Sequence, residues 1–440
     1  MNKSYYPKGL YNFCCNCYMN SLLQCLYYCI DFRNGILSME TPNPDSFVNS
    51  LKVLFKELKN SSERCVYPKI IKEKLNSNPL FKNGIGADAN DLLDFFFNSI
   101  YLELKPDNSN NETVDYEARI YDKNAMLKEA REDIGTKIIL DDIFLGMYEK
   151  EFKCKNGHIK YSFQTEYKII FSLESISRFF NKDKFNIYDC FDYNFSFEEQ
   201  MSEKCFSNNC KHKMSLFEKV YEIPKILIII LDRGYHKKFD KNVDFFLEID
   251  LAKYIDKDKK NSYSNNSNKY TLIGVSTHKG HTGKSGHYIS FCLCDDNNYY
   301  LFNDACSEKI NNAYIIETLK QGSPYILFYR RKEKETIKKI EISSKTTNEV
   351  LIDEINKILR TFIQKHNSNQ YCWESGPKTV NLTFTKESAN FNFVEKSQSV
   401  GCFNIKTYNN NYSFSILMNN IDASSFIKIF KQKFNYFFHN

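Results

Sequence analysis

The chain lacks several features that would assign it quickly. No run of apolar residues among its 440 is long enough to span a bilayer, which argues against a membrane-spanning helix. The opening residues, MNKSYYPKGLYNF, have neither the apolar stretch nor the small-residue cleavage site of a signal peptide. Charge of one sign is not in excess. The formal net charge is only +6, with lysines interspersed among acids and asparagines, so no nucleic-acid footprint is expected. There is no internal repeat, and the single tryptophan, Trp373, reads as core of a terminal block. What is abundant is hydrophobic and aromatic side chains, 42% and 15%, enough to fill one or two cores. Fifteen cysteines, an odd number on a long chain, fit reduced thiols in a cytosolic or nuclear protein better than a disulfide framework.

Patterning divides the chain. Helical spacing predicts a buried helix starting near Asn16 or Cys17, followed by helices over Ser46–Leu58 and Asp88–Leu104. After residue 137 short β-branched and aromatic runs read as strands, among them KILIIIL, YTLIGVS, HYISFCLC and YILFYRR. PDNSNNETVD and DKDKKNSYSNNSN are polar connections. Helices first and strands later is an α+β order. The charged link RRKEKETIKK precedes a final block with helices over Leu351–Lys365 and Ala423–Phe438 and strands between them. The expected domains are therefore 1–331 and 332–440, the second a small α+β module of unknown role.

The chemistry concentrates in two stretches. Residues 9–26 read GLYNFCCNCYMNSLLQCL, with Cys17 at a predicted helix start, where the helix dipole favours a thiolate. In THKGHTGKSGHYISF, His287 follows a glycine that permits close approach and opens a strand that would hold its ring. The next strand, YYLFND, brings Asn303 and Asp304, and Asn303 could accept the imidazole N–H. Cysteine, histidine and asparagine in that order match the needs of a thiol protease. A lone cysteine at a helix start is more often filler, so the joint appearance carries the weight.

Residues 9–26 resemble the Cys box of the ubiquitin-specific proteases, papain-like enzymes that cut after the C-terminal glycine of ubiquitin. YTLIGVSTHKGHTGKSGHYISF resembles their His box, and SPYILFYRR their closing strand. The resemblance covers about residues 5–331 and implies a helical thumb, a β palm and β fingers. It makes Cys17 the nucleophile, Asn12 the oxyanion-hole asparagine and His287 the base. Asn303 would orient His287, with Asp304 as auxiliary. ADANDLLDFFF resembles the box whose acids contact the arginines of ubiquitin's tail, implying that role for Asp88 and Asp91. No cofactor is implied for catalysis. CKNGH and CFSNNC stand where the family has two zinc-binding Cys-x-x-Cys pairs, so Cys154, His158, Cys205 and Cys210 would hold a structural zinc. A knuckle that folds without metal is the alternative, and His212 is a spare ligand. His278 and His281 read as surface residues near the cleft.

The sequence departs from the family where Gly-Asn-Thr becomes Cys14-Cys15-Asn16. If the glycine position needs a positive φ, Cys14 there costs about 1 kcal/mol or more. Gly86-Ala87 replaces a glutamine pair, and Asp232 and Gly234 replace basic and aromatic residues. The resemblance implies a deubiquitinase of the eukaryotic cytoplasm or nucleus, whose partners are ubiquitin and ubiquitinated proteins. Neither nucleic acid nor membrane is an expected partner, and the terminal module would dock another protein. The alternatives are an impaired ubiquitin-binding scaffold and a protease for a ubiquitin-like modifier.

Overall fold

A computed structural model of the chain describes residues 6–40, 43–82, 86–105 and 122–332, apart from short stretches at 208, 235–238, 240, 242, 257–258, 260–267, 283–284, 312–314 and 321. It also describes the backbone of strands within 338–418. The chain divides into two compact units, Met1–Lys332 and Glu333–Asn440.

The first unit is α+β and begins with helices. Helix α1 (Cys17–Tyr28) is followed by α2 (Ile30–Ser38), α3 (Phe47–Asn60), α4 (Lys69–Leu75) and α5 (Ala89–Leu104). Every residue of α1 is buried, so its polar members must find partners inside the protein. Ser21 Oγ lies 3.0 Å from Ser276 Oγ of the palm sheet, and Gln24 Nε2 donates to Lys8 O at 2.9 Å. A Cβ on Gly274 would come within 3.3 Å of Cys25 Sγ, so the glycine lets α1 press closely onto that sheet. Helix α3 starts where Ser46 Oγ accepts from Asn49 N at 3.0 Å, as an N-cap serine does.

The palm is an eight-stranded sheet. Its main path runs Cys306–Lys309, Tyr299–Asn303, Ser285–Leu293, Lys269–Thr282, Ser323–Arg331, Ile226–Asp232 and Ile169–Ser172, with Glu248–Asp250 pairing to Lys269–Thr282. The apolar run Ile226–Leu231 is buried throughout, as expected for a strand covered on both faces. One core packs Leu22, Leu26, Phe32, Phe55 and Phe96 of the helices against Ile228, Ile326 and Phe328 of the sheet. A second lies on the other palm face under two further helices, Leu173–Phe180 and Ile187–Phe195. Sequence patterning assigned neither of these helices. The missed signal was the capping box of Asn186 and Asp189, both of whose hydrogen bonds are formed.

A four-stranded antiparallel sheet forms the fingers, in the order Ile159–Glu166, Gly146–Cys154, Lys213–Glu222, Glu199–Lys204. The second unit contains a six-stranded antiparallel sheet, in the order Lys338–Glu341, Asn411–Met418, Gln398–Tyr408, Ser388–Glu395, Lys378–Phe384, Gln370–Ser375. The helices expected over Leu351–Lys365 and Ala423–Phe438, and the side chain of Trp373, lie outside the described residues. So do the PDNSNNETVD loop and most of DKDKKNSYSNNSN.

Candidate active site

Cys17 is the first residue of α1, and the chain before it forms a short parallel ladder, Gly9–Leu10 on Cys65–Val66. His287 sits near the start of strand Ser285–Leu293, and Asn303 ends the adjacent antiparallel strand. This register places the imidazole against the asparagine amide. His287 Nε2 lies 2.7 Å from Asn303 Oδ1, so the ring N–H donates to the carbonyl oxygen. Cys17 acts on the same imidazole and is the largest influence on its titration. That influence, reinforced by Asn303 and Asp304 against the opposing effect of burial, raises the His287 pKa from 6.5 to about 9. An imidazolium coupled to a thiol and braced by an amide is the arrangement that thiol catalysis requires.

Asn12 and Asp304 join the same cluster. Asn12 Oδ1 accepts from Asn16 N at 2.9 Å, and Asn12 Nδ2 donates to Asp304 Oδ2 at 2.9 Å. The second Asp304 oxygen accepts from Asn20 Nδ2 at 2.8 Å, and its backbone oxygen accepts from Leu10 N at 2.8 Å. Asp304 Oδ2 is 3.8 Å from His287 Nε2. Asn20 is a residue that sequence reasoning missed. Its signal was available, since it lies one turn after Cys17 on the same helix.

Gly286 meets the expectation of close approach: a Cβ there would stand 2.4 Å from His278 Nε2 and 2.5 Å from Lys279 O. The expectation that His278 is a surface residue is wrong. It is buried, its ring 4.7 Å from that of Tyr288, because the missing side chain of Gly286 leaves room for it. The side chain of His281 lies outside the described residues. Cys14 and Cys15 both adopt left-handed backbone, at φ 50° and 64°, so the conditional strain at Cys14 is present and extends to its neighbour.

Asp88 and Asp91 open α5 but differ. Asp88 is the N-cap, with Oδ1 accepting from Asn90 N at 2.6 Å. The Tyr325 hydroxyl bridges both of its oxygens at 2.8 and 2.9 Å. Burial raises the Asp88 pKa, and these hydrogen bonds oppose the shift. Asp91, the third residue of the helix, is exposed.

At the far end of the finger sheet the ligand atoms of Cys154, His158, Cys205 and Cys210 all lie within 4.8 Å of one another. His158 Nδ1 is 3.4 Å from both Cys154 Sγ and Cys205 Sγ, and Cys154 Sγ is 3.8 Å from Cys210 Sγ. A tetrahedral zinc with Zn–S near ~2.3 Å has S···S edges of about 3.8 Å, the length of the Cys154–Cys210 edge, so the donor set suits that ion. His212 is not a member of the cluster. The described cysteines are free thiols, and no described helix is long and apolar enough to cross a membrane.

Residues 8–329 match the family described as ubiquitin carboxyl-terminal hydrolase. The chain belongs to that family. Its members are cysteine-type deubiquitinating peptidases, and so is this chain. Among similar proteins, ubiquitin carboxyl-terminal hydrolase 8 of Saccharomyces cerevisiae is 25% identical over 73% of this chain and 70% of its own length. Ubiquitin carboxyl-terminal hydrolase 4 of Arabidopsis thaliana is 27% identical over 73% of this chain and 92% of its own. The fold resembles that of the SAGA Ubp8/Sgf11/Sus1/Sgf73 module bound to ubiquitin aldehyde, with TM-score 0.57 and 23% identity. That match covers 74% of this chain and 70% of the other. The same module bound to monoubiquitin gives a TM-score of 0.56 at 22% identity, covering 74% of this chain and 69% of that one.

Proposed function

We propose that this deubiquitinating peptidase hydrolyses the bond after the C-terminal glycine of ubiquitin with Cys17 as nucleophile. The observation that carries the assignment is His287 braced by Asn303, with Nε2 2.7 Å from the asparagine oxygen, and its imidazole coupled to Cys17. Cys17 attacks the carbonyl carbon, and the C–N bond breaks as His287 protonates the leaving amine. Water, deprotonated by His287, then cleaves the thioester. Asn12 Nδ2, already donating one hydrogen to Asp304, has a second for the oxyanion. Asp304 is a positioning residue that holds Asn12 and Asn20 together. Exposed Asp91 supplies negative charge for the arginines of the ubiquitin tail, while Asp88 mainly caps α5 and fixes the approach.

Cys154, His158, Cys205 and Cys210 would hold a structural zinc that ties together the tips of the finger strands. The second unit would serve as an accessory module that contacts a protein partner, in the cytoplasm or nucleus.

The test is a ubiquitin bearing a C-terminal electrophile. Wild type should form a covalent adduct and Cys17→Ala should not. Tight binding by wild type without capture would instead favour a ubiquitin-binding scaffold, the reading that the left-handed Cys14–Cys15 pair supports. Capture of a ubiquitin-like modifier in preference to ubiquitin would redirect the substrate assignment.

A further inference from the structure

Asn12 is flanked by two exposed aromatic residues, and their placement has a use. The Asn12 side chain turns toward Asn16 and Asp304. Tyr11 and Phe13, its alternate neighbours, come together with their ring centroids 4.4 Å apart. A third ring joins them from the segment just after the Cys65–Val66 strand. Tyr67 stands 4.2 Å from Phe13 and 6.2 Å from Tyr11, centroid to centroid. The backbone N–H of Tyr11 donates to Val66 O at 2.9 Å, which fixes the two segments in register. Yet the rings remain 48%, 42% and 42% exposed for Tyr11, Phe13 and Tyr67. Three touching aromatic rings left in water form the kind of surface that a partner covers.

Position identifies the partner. The acidic residues suited to ubiquitin's cationic tail are at the start of α5. The aromatic shelf adjoins the oxyanion asparagine instead. An extended linked lysine spans roughly 7 Å from the scissile carbonyl carbon to its own Cα. The residues that flank such a lysine would leave the site beside Asn12, whose two sequence neighbours carry the shelf. We propose that Tyr11, Phe13 and Tyr67 form the acceptor-side subsite, receiving apolar residues that flank the ubiquitin-bearing lysine. This rests on the reading of Cys17 as nucleophile and deepens it, because it gives the enzyme a preference on the side of the leaving group.

Tyr67 is the residue to vary, since it is outside the catalytic cluster. Acyl-enzyme is generated from ubiquitin ethyl ester and divided between hydroxylamine and the peptide acetyl-Phe-Lys-Phe-amide. In each transfer the Cys17 C–S bond breaks, a C–N bond forms, and the amine proton returns through His287. The ratio of the two products, read by mass spectrometry, does not depend on how much enzyme is folded. Tyr67→Ser should lower the peptide-to-hydroxylamine ratio by about three- to tenfold, and Tyr67→Phe should keep it. With acetyl-Gly-Lys-Gly-amide the serine variant should match wild type. An unchanged ratio with the phenylalanine-flanked peptide would overturn the subsite, as would an equal fall with the glycine-flanked one. If wild type forms no acyl-enzyme, the assignment of Cys17 fails first and the subsite with it.

Discussion

Asn20 Nδ2 donates to Asp304 Oδ1 at 2.8 Å, joining the helix that carries the nucleophile to the turn that follows Asn303. Asp304 itself has left-handed backbone, at φ 51°, so the turn is held against a conformational cost. Asn20 is nearly inaccessible to solvent and also donates to Leu10 O at 3.2 Å. Asn20→Leu should leave buried acceptors unsatisfied and destabilise the protein by about 1–3 kcal/mol. It should also lower kcat more than it raises KM, because the loop carrying Asn12 loses its brace. Thermal unfolding and steady-state kinetics on a ubiquitin reporter check both effects.

The alkaline limb of the pH–rate profile is set by His287. Its pKa is raised from 6.5 to about 9, first by Cys17 and further by Asn303, while burial opposes. The imidazolium needed to protonate the leaving amine therefore persists through neutrality, and kcat/KM should fall as pH rises through about 9. The same raised value makes the interaction fully stabilising below 6.5 and lost as pH passes about 9. Asn303→Ala removes one of the raising contacts, so its alkaline limb should move to lower pH. A limb that stayed in place would separate Asn303 from the titration.

Cys14 and Cys15 have positive φ where residues with a Cβ are strained. Cys14→Gly removes the left-handed penalty of roughly 1–2 kcal/mol but adds freedom to the unfolded chain, leaving a net gain of about 0.5–1 kcal/mol. Hydrolysis should be retained or rise, since the loop of Asn12 is relieved of strain. A denaturant titration of the glycine variant measures the first effect directly.

The two acids of α5 should separate. Asp88→Ala removes an N-cap and the partner of Tyr325, at a cost of about 1 kcal/mol or more in stability. Asp91→Asn changes an exposed carboxylate, so stability should hold while KM for a ubiquitin substrate rises severalfold. Equal behaviour of the two variants would remove the distinction.

Zinc should be found at one equivalent in purified protein by elemental analysis. Cys205→Ser should lose it and lower the unfolding temperature, because binding to a preformed cluster is coupled to folding. Cys17→Ala should retain the metal, since the two sites share no ligand. Metal-free wild type with an unchanged unfolding temperature would favour the knuckle that folds without an ion.

The peptidase boxes were legible in the sequence because each is local. Cys17 is placed by the helix start, His287 by Gly286 and the following strand, and Asn303 by the end of the next. Helical and strand periodicity carry such information along the chain, which is also why the α+β class was readable. Tertiary structure alone decided the rest. His278 is buried because Gly286, on the adjoining strand of the hairpin, leaves space for its imidazole. Asp88 is occupied because Tyr325, 237 positions away, reaches both of its oxygens. Asn20 and Asp304, 284 positions apart, meet only when α1 is packed on the palm. A hydrogen bond between distant residues leaves no period in the sequence. It exists only after apolar burial has brought the helices onto the sheet, and burial then makes each polar partner obligatory.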